Sequence, residues 1–123
     1  MKQVKIVNAY GVTDALSNDT TISLKAKWAL YSLRKTLAKH YEFQTQENNR
    51  LLEKYKGKYD PATKLIIFET PEIAKEFSDE HNALDNLEID LKVDKQKLSL
   101  NDIPKITVKQ IEDLEDFIEF TQE

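Results

Sequence analysis

The stretch ISLKAKWALYSLRKTLAKHYEFQTQENNRLLEKYKG, residues 22–57, decides the fold of this chain. Along it, apolar side chains recur at steps of three and four residues, which is the repeat of one face of an α-helix. Thr21 or Ser23 is suited to cap the start of such a helix, and Gly57 stands where a left-handed residue commonly follows the last turn. The sequence therefore predicts a helix over residues 23–56.

One face of this helix forms a seam of the kind that joins helices in coiled coils. The seam consists of Ala26, Leu30, Leu33, Leu37, Tyr41, Gln44, Asn48, Leu51 and Tyr55. A straight helix of 34 residues would be about 51 Å long, whereas a compact domain of this size is about 30 Å across. We therefore expect the helix either to break near Gln44–Asn49, giving a helical hairpin, or to project from the domain.

Shorter apolar stretches predict strands on both sides of the long helix. They lie at Val4–Val7, at Leu65–Phe68, where a continuous apolar run indicates a buried strand, and at Leu87–Val93, where alternation indicates a half-buried one. Thr13–Thr21 has the composition of a loop, and Leu98–Ile103 that of a connector.

Two further helices are predicted from their first residues. Thr70, Pro71 and Glu72 supply a cap, a proline at the first position and an acid in the first turn. Thr107 and Gln110 match a capping box that opens a C-terminal amphipathic helix. The apolar face of this last helix consists of Val108, Ile111, Leu114 and Ile118.

These elements define the fold class that we expect. At 123 residues the chain has the size of one domain, residues 1–123. Helices dominate and the strands are short, which favours a helix-dominated α+β fold over a doubly wound sheet. Its parts are a long N-terminal helix or helical hairpin, a small short-stranded sheet and the amphipathic C-terminal helix.

The composition excludes several classes of function. The chain has no cysteine, so disulfides, thiolate zinc sites and a thiol nucleophile are absent. Its two histidines form no HExxH motif, and its two glycines cannot build a phosphate-binding loop. The acidic residues lack the glycine-turned loop of a cation site. We therefore expect no enzyme, no catalytic residues, no cofactor and no metal.

Two features that the sequence lacks predict where the protein occurs. Residues 1–12, MKQVKIVNAYGV, lack the apolar core of a signal peptide, and no run approaches 18 apolar residues. We expect a protein that does not enter a membrane and that occurs in a cytoplasm or in a particle assembled there.

Charge is divided between the two halves of the chain. Residues 1–64 carry 12 Lys/Arg against 6 Asp/Glu, a net of +6, and residues 65–123 carry 6 against 16, a net of −10. Such a division gives one molecule, or two neighbours, complementary surfaces. It points to association with proteins, unless the halves neutralise each other within one molecule.

Two groups of residues are candidates for contacts with a partner. Trp28, Tyr31, Lys35 and Lys39 lie on the face of the long helix opposite the seam. That face is either sandwiched by the small sheet, or an exposed aromatic anchor for a partner protein, or a platform for nucleic-acid bases. The second group is an acidic stripe on the C-terminal helix, formed by Glu112, Glu115, Asp116 and Glu119.

Nucleic acid is not the expected partner. The lysines and arginines of residues 25–58 are spread around the helix rather than gathered on one side. The chain as a whole is acidic, with a net charge of −4, and its acidic half would repel a phosphate backbone.

The order of the motifs resembles a family of small, uncharacterised proteins encoded by tailed bacteriophages and prophages. The resemblance covers roughly residues 20–120 and is carried by the helix ending in LLEKY, by KLIIF, by TPEIAKEFSDEHNALDNLEIDLKV, and by the ending LSLNDI…ITVKQIEDLEDFI. It implies a phage origin and a role in virion assembly, and it supplies no functional residues.

Two functions are open on these grounds. The first is a phage structural or assembly protein, a connector or tail component or an assembly chaperone, found in the host cytoplasm or the virion. In it the basic face of one subunit meets the acidic face of a phage-encoded neighbour or of another copy. The alternative is a host-takeover or anti-defence protein that binds and inhibits a host protein or signalling molecule.

A simpler possibility is a homodimer formed by the helical seam. Leu30, Leu33 and Leu37 would supply its apolar contacts, and Gln44 and Asn48 would fix its register. Raising the salt concentration should weaken a charge-mediated ring and leave such a dimer intact.

Overall fold

A computed structural model of the protein describes residues 1–122. Over these residues the chain is 57% helical, with four α-helices and two small sheets, which confirms the helix-dominated α+β class. In chain order the elements are α1 (Gln3–Leu16), α2 (Leu24–Lys54), β1 (Lys58–Asp60), β2 (Leu65–Ile67), α3 (Pro71–Asp85), β3 (Gln96–Ser99), a 3-10 turn (Leu100–Asp102), α4 (Val108–Leu114) and β4 (Ile118–Thr121).

The long helix α2 is continuous. The Ser23 hydroxyl accepts a hydrogen bond of 3.1 Å from the Ala26 amide and caps its start, as predicted. The helix has 31 residues, about 46 Å at ~1.5 Å per residue. It does not break at Gln44–Asn49, because the polar seam position Gln44 is buried and its amide donates to Asp85 of α3.

The end of α2 differs from the prediction at one residue. Lys56, with φ of 52°, occupies the left-handed position, and Gly57 follows it with a negative φ. The Lys56 amide donates to the Glu53 carbonyl and the Gly57 amide to the Leu52 carbonyl, which is the Schellman pattern. Gly57 is needed here for space, since a Cβ atom would lie 2.9 Å from Phe68 Cε1 and 3.0 Å from a methyl group of Ile66.

The prediction of a strand at Val4–Val7 is wrong, and the loop predicted over Thr13–Thr21 begins only after Leu16. The residues from Gln3 to Leu16 form the helix α1, whose buried residues Ile6, Ala9, Val12 and Leu16 follow a spacing of three and four. α1 runs antiparallel to α2. The Gln3 side chain donates to the His40 carbonyl at 2.7 Å near one end of α1, and Arg34 Nη2 lies 2.8 Å from Asp14 Oδ1 near the other.

The main core lies where the α1–α2 hairpin meets the C-terminal segment. The seam residues of α2 and the buried face of α1 supply most of it. Ala29 of α2 and Ile22, just before α2, add to them. The rest comes from the segment that contains β3, α4 and β4, namely Leu98, Ile103, Leu114, Phe117 and Ile118. β3 and β4 pair in parallel, from Gln96↔Ile118 to Ser99↔Thr121.

The C-terminal predictions need two corrections. The capping box at Thr107 is present, but α4 ends at Leu114, and Ile118 lies in strand β4 instead of on the helix. The connector predicted over Leu98–Ile103 contains the end of β3 and the 3-10 turn. The partners of β3 lie 22 positions later in the chain, as in Gln96↔Ile118. Because this pairing is made in the tertiary structure, it leaves no periodic pattern within the segment itself.

Two predicted strands differ from the observed structure. Leu87–Val93 forms no regular strand; it makes an isolated bridge between Glu88 and Lys2, and Ile89 packs against the core. β2 is a strand as predicted, but its residues are exposed rather than buried. It pairs with β1 in an antiparallel hairpin beside α3, at the far end of α2.

Candidate interaction surface

The N-terminal half of α2 exposes a group of large apolar side chains. Leu24, Trp28 and Tyr31 are 82%, 65% and 53% exposed. The Trp28 and Tyr31 rings lie 5.9 Å apart between centroids, and Lys35 Nζ lies 5.4 Å from the Tyr31 ring centroid. We call this surface, together with the exposed Lys27, Lys35 and Lys39, the aromatic face. Sequence reasoning placed most of these residues on one face but did not include Lys27.

The expectation that this face is sandwiched inside the chain is wrong. α1 and the C-terminal segment both pack against the opposite side of α2, where Ala26, Leu33 and Leu37 are buried. Within residues 1–122 Trp28 remains mostly exposed. Its role as an anchor for a partner stays a prediction.

The charges of the aromatic face are available to a partner. Within the described residues, no carboxylate oxygen lies within 4.0 Å of the ammonium groups of Lys27, Lys35 or Lys39. Arg34 differs, because it turns toward α1, and its hydrogen bond to the Tyr10 hydroxyl raises its pKa. The face therefore carries free positive charge beside its rings.

A groove of about 220 Å³ adjoins the aromatic face. It lies between the end of α1 and the start of α2. Thr13, Ile22, Leu30 and Tyr31 contribute to its walls. A side chain of a partner that stacks on Tyr31 would reach this groove, which gives the face a concave part as well as a flat one.

The acidic residues do not form the predicted stripe along one helix. Glu112 is on α4, Glu115 follows the last residue of α4, and Glu119 is on β4; all three are exposed. Asp116 is half-buried, and one of its oxygens lies 3.5 Å from Lys5 Nζ. The structure therefore places these residues on neighbouring elements instead of on one helical face.

The division of charge is only partly neutralised within the molecule. Among the described residues, three contacts join the halves: the terminal amine with Glu88, Lys5 with Asp116, and Lys54 with Glu80. The remaining ion pairs join residues of the same half, such as Lys109 with Asp113. Most charged groups of each half therefore remain free to meet a partner.

The seam of α2 faces the chain's own core. Leu30, Leu33, Leu37 and Gln44 are buried, and Asn48 is half-buried. In this fold the seam leucines are not available to a second copy, because α1 and the C-terminal segment already cover them.

The two histidines lie on different helices, His40 on α2 and His81 on α3. Burial, with a smaller contribution from Lys39, lowers the pKa of His40. His81 Nδ1 lies 3.4 Å from Asp85, the same carboxylate that accepts from Gln44. In residues 1–122 no three acidic or histidine side chains gather as they would around a metal ion. The same residues contain no helix with the length and apolarity of a membrane span.

Comparisons with known proteins give no relative for this chain. No protein-family model, no curated protein and no solved structure matches it.

Proposed function

We propose that this protein acts by non-enzymatic association and that the aromatic face of α2 binds an acidic surface of another protein. The observation that carries the proposal is the exposure of Trp28 and Tyr31 beside Lys27, Lys35 and Lys39, which form no ion pair among the described residues. Tryptophan and tyrosine contribute the largest share of binding energy in many interfaces, because they bury a large area with few torsions to fix.

The lysines specify the kind of partner. Lys27, Lys35 and Lys39 flank the rings, so an acidic protein surface would be steered to the face and its approach accelerated. Their contribution to affinity is smaller than that of the rings, because exposed ion pairs are screened by salt.

From the predicted resemblance to small phage proteins, we propose virion assembly as the setting of this association, with the protein acting as a connector or tail component or an assembly chaperone. The partner would be phage-encoded or another copy, and the protein would occur in the host cytoplasm or the virion. Glu112, Glu115 and Glu119 offer the acidic surface that a copy would need for a head-to-tail ring.

The proposal is tested by affinity capture from phage-infected cells with three forms of the protein. The wild type should capture a phage structural protein, and Trp28→Ala/Tyr31→Ala should weaken the capture at least about tenfold. Tyr59→Ala is the matched control, because Tyr59 is an aromatic residue of similar exposure on β1. It should leave the capture unchanged.

Two results would contradict the proposal. Equal capture by the wild type and the double variant would show that the aromatic face is not the contact. Capture of a single host protein, with no phage protein, would favour the inhibitor function instead. If another copy is the partner, Lys35→Glu/Lys39→Glu should abolish the ring, and adding Glu112→Lys/Glu115→Lys should restore it.

A further inference from the structure

The hairpin formed by β1 and β2 has an open apolar edge. Its register runs from Lys58↔Ile67 to Asp60↔Leu65, and within residues 1–122 no third strand pairs with it. Leu65 and Ile67 are 65% and 52% exposed. The main-chain groups on the outer edge of β2 therefore lack strand partners in the described chain.

The turn before β2 fixes how this edge is presented. One Asp60 oxygen accepts from the Ala62 amide at 3.0 Å, and the other accepts from the Thr63 hydroxyl at 2.9 Å. Lys64 then adopts a φ of 60°, after which the strand begins. The side chain of Asp60 thus holds the hairpin in one shape before any partner arrives.

An open groove of about 450 Å³ runs beside β2. It extends from Leu65 through Phe68 and Glu69 to Pro71 and Ala74 at the start of α3. The groove lies where an added strand would need space, and its walls are largely apolar side chains.

Apart from its short length of three residues, the strand lacks the usual protection of an edge. Edge strands are commonly blocked by a proline, a charge or a bulge along their length. From Leu65 to Phe68 this chain has none of these in its sequence; the charges stand outside, with Lys64 before the strand and Glu69 after it. The edge is therefore suited to pairing.

We propose that β2 pairs antiparallel with β2 of a second copy of this chain, giving a four-stranded sheet across a two-fold axis. With the axis at Ile66, Leu65 of each copy lies opposite Ile67 of the other, which keeps matching faces of the strands together. The antiparallel direction also brings the Lys64 end of each strand to the Glu69 end of the other. A parallel pairing would place like charges at each end.

This interface goes beyond the proposed function, since it uses the other end of the molecule. The aromatic face lies on the first half of α2, whereas the hairpin of β1 and β2 follows the end of α2. The dimer would leave both aromatic faces free and join them in one bivalent particle, which raises the avidity for a partner that presents repeated sites.

The test is sedimentation equilibrium across a concentration series from micromolar to millimolar. The wild type should show a monomer–dimer equilibrium, and Ile67→Lys should remain monomeric with an unchanged circular dichroism spectrum. Val108→Lys is the matched control, because Val108 is an exposed apolar residue on α4. It should dimerise like the wild type.

A charge reversal tests the direction of pairing. Lys64→Glu should weaken the dimer roughly 2- to 30-fold, since two exposed ion pairs are lost by symmetry. Lys64→Glu/Glu69→Lys should restore it. Amide exchange of residues 65–67 should slow as the wild-type concentration rises.

Three outcomes would overturn the inference. The first is a wild type that stays monomeric at every concentration, which would leave the edge to a strand of another protein. The second is a dimer that survives Ile67→Lys. The third is a dimer that Trp28→Ala dissociates, which would place the contact on the aromatic face. None of these results decides the capture experiment, so the two proposals fail separately.

Discussion

The two halves of α2 show how one helical pattern leads to two different environments. The first half, from Leu24 to His40, buries Ala26, Ala29, Leu30, Leu33 and Leu37 in the main core. The second half, which ends at Lys54, buries Gln44 and Leu51, and it meets a two-stranded hairpin and α3. Along Pro71–Asp85, α3 has no fully buried residue. The regularity of a helical seam therefore does not by itself show how much the helix contributes to the stability of the fold.

Aromatic rings meet at the far end of the second half, just after the last residue of α2. Phe77 of α3 lies 4.9 Å from Phe68 and 6.4 Å from Tyr55 between ring centroids. Lys54 Nζ and Glu80 Oε1 lie 3.0 Å apart on the surface. Because these contacts are few and partly exposed, we expect this end to open locally before the main core unfolds.

The largest expected effect is that of Leu37→Ala. Leu37 is fully buried in the main core, so the change should lower the free energy of unfolding by about 2–5 kcal/mol. Chemical denaturation measures this loss. Leu65→Ala, at an exposed leucine of the hairpin, should stay within about 0.5 kcal/mol of the wild type. Equal losses would remove the distinction between the two regions.

Gly57→Ala should affect the far end of the molecule. Its Cβ atom would meet Phe68, Ile66 and Leu52 side chains at 2.9–3.0 Å, so these groups must move. We expect a loss of about 1–3 kcal/mol. Amide exchange should show faster opening of β1, β2 and α3, with the core amides of α1 less affected. A change that accelerates α1 equally would mean that both regions unfold as one unit.

Lys56→Gly changes the residue before Gly57 and should raise the stability of the protein instead of lowering it. Lys56 has a φ of 52°, a backbone conformation that costs an L-residue about 1 kcal/mol and that glycine adopts freely. The variant should gain stability of that order in denaturant melts. Lys58→Gly, at a nearby strand residue, should gain nothing. A loss of stability in Lys56→Gly would contradict the assignment of residue 56 to the left-handed position.

Gly11→Ala should strengthen the first region slightly. Gly11 lies inside α1, and an added Cβ would meet no described atom within 4 Å. Alanine should therefore raise the stability by roughly 0.5–1 kcal/mol, because glycine is costly inside a helix. Ala15→Gly, at an exposed position of the same helix, should produce the opposite shift. A destabilising Gly11→Ala would show that this face of α1 is covered.

The smallest expected effect is a pH dependence at His40. Burial lowers the pKa of the folded His40 below its ordinary value of 6.5, so the unfolded chain binds the proton more readily. Stability should therefore fall as the pH decreases through 6.5 toward the folded pKa. His40→Gln should reduce this fall in denaturant melts at several pH values. Lys39→Gln should reduce it partly, because the lysine charge also lowers this pKa.

The sequence predicted an element correctly where helical spacing extends over several turns, or where capping residues mark the first residue of a helix. α2 was predictable because its spacing of three and four continues for eight turns, and α3 because a capping threonine precedes proline. α1 was missed because Val4, Ile6 and Val7 suggested a strand. The helical spacing of Ile6, Ala9 and Val12 was present in the same residues.

The candidate surface was predictable in part. The positions of Trp28 and Tyr31 on the face opposite the seam follow from the helical repeat. Their exposure does not, because it depends on which side of α2 the later segments cover. The acidic stripe failed for a related reason: α4 ends at Leu114 because the following residues leave to pair with β3.

The main core also sets an order of events during synthesis. The facing residues of α1 and α2, such as Tyr10 and Arg34, are close in sequence, so we expect the hairpin to form while later residues are still being added. Phe117 and Ile118 are the last core residues to be made. Until they arrive, the leucines of α2 are covered only by α1, and a chaperone or another nascent copy has that interval in which to bind their remaining surface.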